Sequence, residues 1–178
     1  MGRKPTITRD HLLELAEIIV RDGGAAALTI DALAKAAGIS KGGVQYSFAS
    51  KDDLVRALVN RWTDQFDAIM GPAEALSPVE FVQRYMKAVR ASQSALDAKM
   101  AGLMITYLQN PQDREDTRAW YRSVFDRLGG SDRTDQAARV LFLALEGLFM
   151  LRMIDPEDDA GWKARLADIE SIAADLLV

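Results

Sequence analysis

The chain contains no cysteine, which excludes disulfides, iron–sulfur clusters, thiolate zinc sites and a thiol nucleophile, and fits a reducing, cytoplasmic setting. It has a single histidine, His11, on the first expected helix, so no Ser/His/Asp constellation can be drawn. No glycine-rich phosphate loop is present. Asp155, Glu157, Asp158 and Asp159 cluster at a helix break without EF-hand spacing, and read as a solvated acidic loop. The expectation is therefore no enzyme, no metal and no cofactor. Long apolar runs are also missing. Residues 140–154 come nearest, but they carry Glu146 and Arg152 and are too short to span a bilayer, which suits a buried helix and no membrane partner. Residues 1–10 lack the apolar segment of a secretory leader. Their fit to the loose N-myristoylation pattern is weaker than a reading as a basic arm.

What is present is a globular composition: 178 residues, 49% hydrophobic and 27% charged, enough to bury a core and argue against intrinsic disorder. The net charge of −4 is unevenly spread. Residues 1–62 hold nine Lys/Arg against seven Asp/Glu, a net of +2; residues 63–178 hold thirteen against nineteen, a net of −6. A basic end on an acidic body is the asymmetry of a protein that meets phosphate at one end.

The period is helical throughout, with no alternating run and no hairpin dipeptide, so the fold class is all-α. Caps and breakers divide the chain into about nine helices. The first spans about Thr8–Asp22, with Leu12, Ala16, Ile19 and Val20 on one face, and ends at Gly23-Gly24. Thr29 caps a second helix ending at Ala37-Gly38. Ser40 caps a third, very short one through Ser47. Ser50-Lys51-Asp52-Asp53 resembles a capping box and opens a fourth helix to about Met70. Gly71-Pro72 closes it, placing a helix-turn-helix domain at 1–62, a regulatory and dimerisation domain at 63–178, and the fourth helix as the link. Ser77-Pro78-Val79-Glu80 starts a helix to about Ser94. Others span about Leu96–Gln109, Asp113–Leu128, Thr134–Ile154 and Ala160 to the end.

The segment Thr29–Phe48 holds two helices around a tight Gly38-Ile39-Ser40 turn, a helix-turn-helix. Leu33, Ala34, Ala37, Ile39 and Val44 fall at its internal contacts. Lys41, Gly43, Gln45 and Tyr46 face outward, where glutamine suits adenine and lysine suits guanine or phosphate. Thr29 and Ser40 stand at helix starts, where hydroxyls and amides hold phosphate. Gly42 and Gly43 each cost about 1 kcal/mol relative to alanine inside a helix, which close backbone approach to DNA would explain. Periodicity leaves a second reading open, a helical hairpin packed in a core.

Residues 8–62 resemble the DNA-binding domain of the tetracycline-repressor (TetR) family. The resemblance rests on Thr29-Ile30, Ala34-Lys35-Ala36-Ala37-Gly38-Ile39-Ser40-Lys41-Gly42, Tyr46-Ser47-Phe48 and Ser50-Lys51-Asp52-Asp53-Leu54. It departs from the usual pattern at Ser47, often histidine, and at Ala49, usually proline. It implies that Thr29, Lys41, Tyr46 and Lys51 touch phosphate, with Ser40 and Gly42 beside them. Gly43 and Gln45 then face base edges, Arg3 and Lys4 form a basic arm, and Phe48 belongs to the core. It also implies a homodimer on palindromic double-stranded operator DNA.

Past residue 72 the match is only in helix count and character. The helix at 134–154 is apolar nearly all round, so it is buried on several sides. The resemblance implies that the last two helices pair with a second copy, through Leu141, Leu145, Leu148, Leu166, Ile169, Ile172, Ala173 and Leu176. Phe81, Tyr85, Met86, Val89, Met100, Met104, Tyr107, Trp120, Tyr121 and Phe125 read as plain core or as an adaptable apolar pocket. Glu146 among them needs a partner: Arg90, Arg139 or Arg152, a ligand, or solvent. The functional expectation is a dimeric repressor released by a small apolar or amphipathic ligand. The alternatives are such a regulator without an effector, or a helical protein–protein adaptor.

Overall fold

The computed structural model describes residues 7–91, 102–155 and 158–177, and among these there is no strand. The helices are α1 (Arg9–Ala27), α2 (Ile30–Ala37), α3 (Lys41–Gln45), α4 (Lys51–Met70), α5 (Pro78–Ala91), α6 (residues 102–107), α7 (Pro111–Arg127), α8 (Arg133–Ile154) and α9 (Asp159–Leu176). The expected basic arm at Arg3 and Lys4, the end of the fifth helix and the start of the sixth lie outside the described residues.

Short polar side chains set the helix starts. Hydroxyls of Thr8, Thr29, Ser40 and Ser50 accept from the amides of His11, Ala32, Gly43 and Asp53. Each such cap contributes about 1 kcal/mol. The Ser50 box is only half made, because Asp53 turns to Arg56 at 3.2 Å. The Ser77 box is complete: the Glu80 carboxylate accepts from the Ser77 amide at 2.9 Å, and the Ser77 hydroxyl accepts from the Glu80 amide at 3.3 Å. Gly38, at φ +64°, turns α2 into α3 in a conformation a β-carbon would strain.

The third and sixth helices end two residues early, at Gln45 and residue 107, and two further boundaries differ from expectation with consequences for packing. The first helix does not stop at Asp22; it kinks at Gly24 (φ +71°) and resumes for one further turn to Ala27. The seventh starts at Pro111, not Asp113, because Asn110 caps it and proline suits the first helical position. Asp113 is consequently a buried residue of the first turn, 3% exposed, and holds Arg56 at 2.6 Å.

Two cores result. The N-terminal one joins Leu12, Leu13, Ala16 and Val20 of α1 to Leu33, Val44, Phe48, Leu54, Val55 and Leu58. Leu103 of α6 belongs to it, with Met104 and Tyr107 packed alongside. The second joins Phe81, Val82 and Tyr85 of α5, Val124 and Leu128 around α7, Phe142 and Leu145 of α8, and Trp162 and Leu166 of α9. The helix α4 serves both, with Leu54 and Leu58 in the first and Phe66 and Met70 in the second.

Candidate nucleic-acid interface and ligand cavity

The α2–α3 pair buries Leu33, Ala34 and Val44, with Ala37 and Ile39 half-buried against the same core. This leaves Lys41, Gly42, Gly43, Gln45 and Tyr46 on the open side, together with the cap residues Thr29 and Ser40. Tyr46 is 94% exposed, an unusual position for a large aromatic ring with no intramolecular role. Lys51, at the start of α4, is half-buried. Lys41 rests on Asp31 at 3.1 Å, an exposed pair that DNA phosphate could replace at little cost. Phe48 is 1% exposed with the Arg9 guanidinium over its ring at 4.8 Å, which makes it core.

The two glycines of α3 have different surroundings. A β-carbon on Gly43 would come within 3.2 Å of the Ile39 side chain, so packing within the chain already asks for glycine there. On Gly42 the nearest atom would be the Ser40 hydroxyl at 3.9 Å. Nothing inside the chain requires glycine at 42.

A cavity of about 320 Å³ lies between α4 and the C-terminal helices. Seven residues named from sequence line it: Tyr85, Val89, Met104, Tyr107, Trp120, Tyr121 and Glu146. Phe81, Met86 and Phe125 do not. Phe81 is 2% exposed inside the second core, Met86 packs against that core, and Phe125 lies partly at the surface against Phe142. Met100 is outside the described residues. Sequence reasoning missed Val59, Asn60, Trp62, Thr63, Phe66 and Asp67, because the fourth helix was assigned as the link between the domains and not as a wall. The aromatic pair Trp62 and Phe66, one helical turn apart, was the available signal. Asp116, Thr117, Leu145, Phe149, Arg152 and Trp162 complete the lining.

Among the described residues Glu146 pairs with no arginine. Its two carboxylate oxygens accept from the hydroxyls of Tyr85 and Tyr121. The arginines expected to meet it are used elsewhere. Arg90 pairs with Glu170, Arg139 donates to the Leu128 and Gly130 carbonyls, and Arg152 donates to Asp159 at 2.7 Å. Asp158 and Asp159 of the acidic run are accordingly not free loop, and Glu157 lies outside the described residues. Asp158 caps α9 and holds Arg165, while Asp159 holds Arg152. No cluster of metal-ligating side chains occurs among the described residues.

Burial, then the Glu146 charge and hydrogen bond, push the Tyr85 phenol well above its ordinary 10.0 and raise Tyr121 in the same way. Raised values mean that the folded state keeps these protons. Their contribution is complete below pH 10.0 and is lost as pH rises through the folded values. The wild-type thermal midpoint should therefore fall above pH 10.0 more steeply than that of Tyr85→Phe. Equal slopes would show that the phenol is not held neutral by its site.

The expected dimer face needs correction. Leu141, Leu145, Leu148, Leu166 and Ala173 are 1–3% exposed in the single chain, so they fill its own core and cannot meet a partner. Ile169 is half-buried against that core. Only Ile172 and Leu176 of that set are open, at 53% and 38%. The open apolar face of α8 is instead Val140, Leu143, Met150, Leu151 and Ile154, at 49–76%.

A helix-turn-helix with an open polar face, set on a helical body with an aromatic cavity, is the architecture of a helix-turn-helix regulator fold. Residues 79–174 match the family model for the tetracyclin repressor-like C-terminal domain, and residues 12–58 match that for bacterial regulatory proteins of the tetR family. The chain belongs to the TetR family of transcriptional regulators, which are not enzymes. Solved structures agree on the fold. A TetR-family regulator from Marinobacter aquaeolei is 16% identical with a TM-score of 0.66, over 96% of this chain and 91% of that one. GusR of Salmonella enterica is 18% identical with a TM-score of 0.64, over 98% and 97%. The multidrug binding protein EbrR, solved with malachite green, is 23% identical with a TM-score of 0.59, over 90% and 96%. No curated protein matches the chain by sequence.

Proposed function

We propose that the protein is a homodimeric repressor that reads a palindromic operator through α3 and leaves it when a small apolar or amphipathic molecule fills the cavity. The observation that carries the reading is the sharing of α4. One continuous helix supplies Leu54 and Leu58 to the core beneath the reading helix, and Trp62, Phe66 and Asp67 to the cavity wall. Met104 and Tyr107 make the same double contact from α6. A guest that displaces these side chains tilts the reading domain. The dimer then loses the spacing of about 34 Å, one DNA turn, or its multiple, that two major grooves demand. The guest shifts the balance only by its preference for the released state. EbrR with malachite green supports the idea that this fold accommodates a small organic molecule.

Within this reading Thr29, Ser40, Lys41, Tyr46 and Lys51 hold phosphate, Gln45 meets base edges, and the Gly42–Gly43 backbone lies close to the duplex. Such DNA contacts place the protein in the cytoplasm; no described helix is long and apolar enough to cross a membrane. Selection of bound sequences from a random DNA pool tests the core of the proposal. A palindrome with half-sites about one turn apart is expected, and absence of any enriched sequence would refute it. Gly42→Ala should leave the thermal midpoint unchanged or raised, since alanine favours helix by about 1 kcal/mol, yet weaken operator binding. Retained affinity would remove close backbone approach from the account.

Dimerisation is assigned to the open face of α8 and α9, centred on Leu143, Met150 and Ile172. A contiguous apolar face of this kind calls for cover. Leu143→Arg should convert the dimer to a folded monomer in sedimentation, with a large loss of operator affinity. A dimer that persists would move the interface elsewhere.

A further inference from the structure

We propose that the guest of this cavity is a lipophilic organic cation, with its charge seated at Glu146 and its apolar body among the surrounding rings. The proposal rests on the effector reading above and adds the ligand's charge. Glu146 is a half-buried carboxylate in an aromatic wall, and among the described residues it has no cationic partner. The Tyr85 and Tyr121 hydroxyls satisfy its hydrogen bonding but leave its charge uncancelled. Two more carboxylates, Asp67 and Asp116, stand exposed on the lining, also without ion-pair partners among the described residues. The one cationic group among the described lining residues, Arg152, donates through Nη2 to Asp159 at 2.7 Å and lies over the Trp162 ring at 5.0 Å, with its Nη1 buried and without a hydrogen-bond partner.

Occupation expels water from the cavity, and the cost of desolvating Glu146 then depends on the guest. A neutral body would leave the carboxylate desolvated and uncompensated, and an anion would add repulsion. A cation compensates the charge, and the faces of Trp62, Trp120 and the tyrosines attract it further. The three tryptophans of the chain, Trp62, Trp120 and Trp162, all line the cavity, so intrinsic fluorescence reports directly on the site.

Two ions of one shape and opposite charge, tetraphenylphosphonium and tetraphenylborate, provide the test on the full-length protein. Tetraphenylphosphonium is expected to change the tryptophan emission saturably and to bind at least tenfold more tightly than tetraphenylborate. Glu146→Gln, which keeps the shape and one phenol's donation while its amide N–H donates to the other hydroxyl, should weaken the cation at least tenfold and narrow the gap between the ions. Asp67→Asn should weaken it less. Equal or tighter binding of tetraphenylborate, binding of neither ion, or an unchanged cation affinity in folded Glu146→Gln would overturn the proposal. The wild-type comparison stands even if that variant does not fold. Operator binding separates the two readings. Release of DNA by tetraphenylborate alone would reject the cation and keep the effector. Charge-dependent binding of tetraphenylphosphonium without any change in operator affinity would keep the cation site and reject the effector.

Discussion

Lys41→Ala and Tyr46→Ala combined are expected to reduce operator affinity at least about a hundredfold while leaving the melting temperature where it is. The two side chains have little to lose inside the protein. Tyr46 is 94% exposed, and the Lys41–Asp31 pair joins side chains that are 56% and 72% exposed, a kind of pair that contributes about 0–1 kcal/mol. On DNA, a hydrogen bond to a charged group is worth about 1.5–3 kcal/mol. Losing even the lower figure in each subunit removes about 3 kcal/mol, which is more than a hundredfold at 1.4 kcal/mol per decade, roughly. The salt dependence separates the two residues. Lys41→Ala and Lys51→Ala should each flatten the plot of log affinity against log salt by about one unit per subunit, without regard to DNA sequence. Tyr46→Ala should lower affinity at nearly constant slope, because a phenol releases no counterion. Unchanged affinity and slope in the double variant would leave the helix-turn-helix as a packing motif only.

Phe142→Ala should lower stability by about 3–5 kcal/mol, and the thermal midpoint by about 10 °C for a chain of this size. Phe142 is fully buried and touches rings on two other helices: Phe81 and Tyr85 of α5, and Trp120, Tyr121 and Phe125 of α7, at centroid distances of 5.2–6.4 Å. The five rings around it are rigid and collapse poorly into a void. The same substitution loosens Tyr85 and Tyr121, so guest binding at Glu146 should weaken beyond the general loss of stability. A thermal scan and a fluorescence titration check both parts. A midpoint within about 2 °C of wild type would mean that the aromatic cluster is not close-packed.

The helices, caps and turn of Thr29–Phe48 were legible in sequence because they depend on local chemistry. Thr29, Ser40 and Ser50 cap within three residues of themselves, Gly38 turns at its own φ, and period 3.6 places Val44 inward and Tyr46 outward. Glu80 and Ser77 closed their box for the same reason. The second half of the chain was less legible. In α8 apolar residues occur on every side, so periodicity could not say which face meets the chain's own core and which stays open. Leu141, Leu145 and Leu148 went inward, and Val140, Leu143 and Met150 outward. Glu146 posed the same problem. Three arginines could have met it by charge, but placement in space gave Arg90 to Glu170 and Arg152 to Asp159, and gave Glu146 two phenols.

The sequence by itself determined the all-helical class, the caps and turns, and the reading element, because each follows from residues within one or two helical turns. Tertiary structure alone decided the sidedness of α8, the partners of Glu146 and the use of α4 as a cavity wall. Those depend on which helices lie against one another, a long-range choice that no local period encodes.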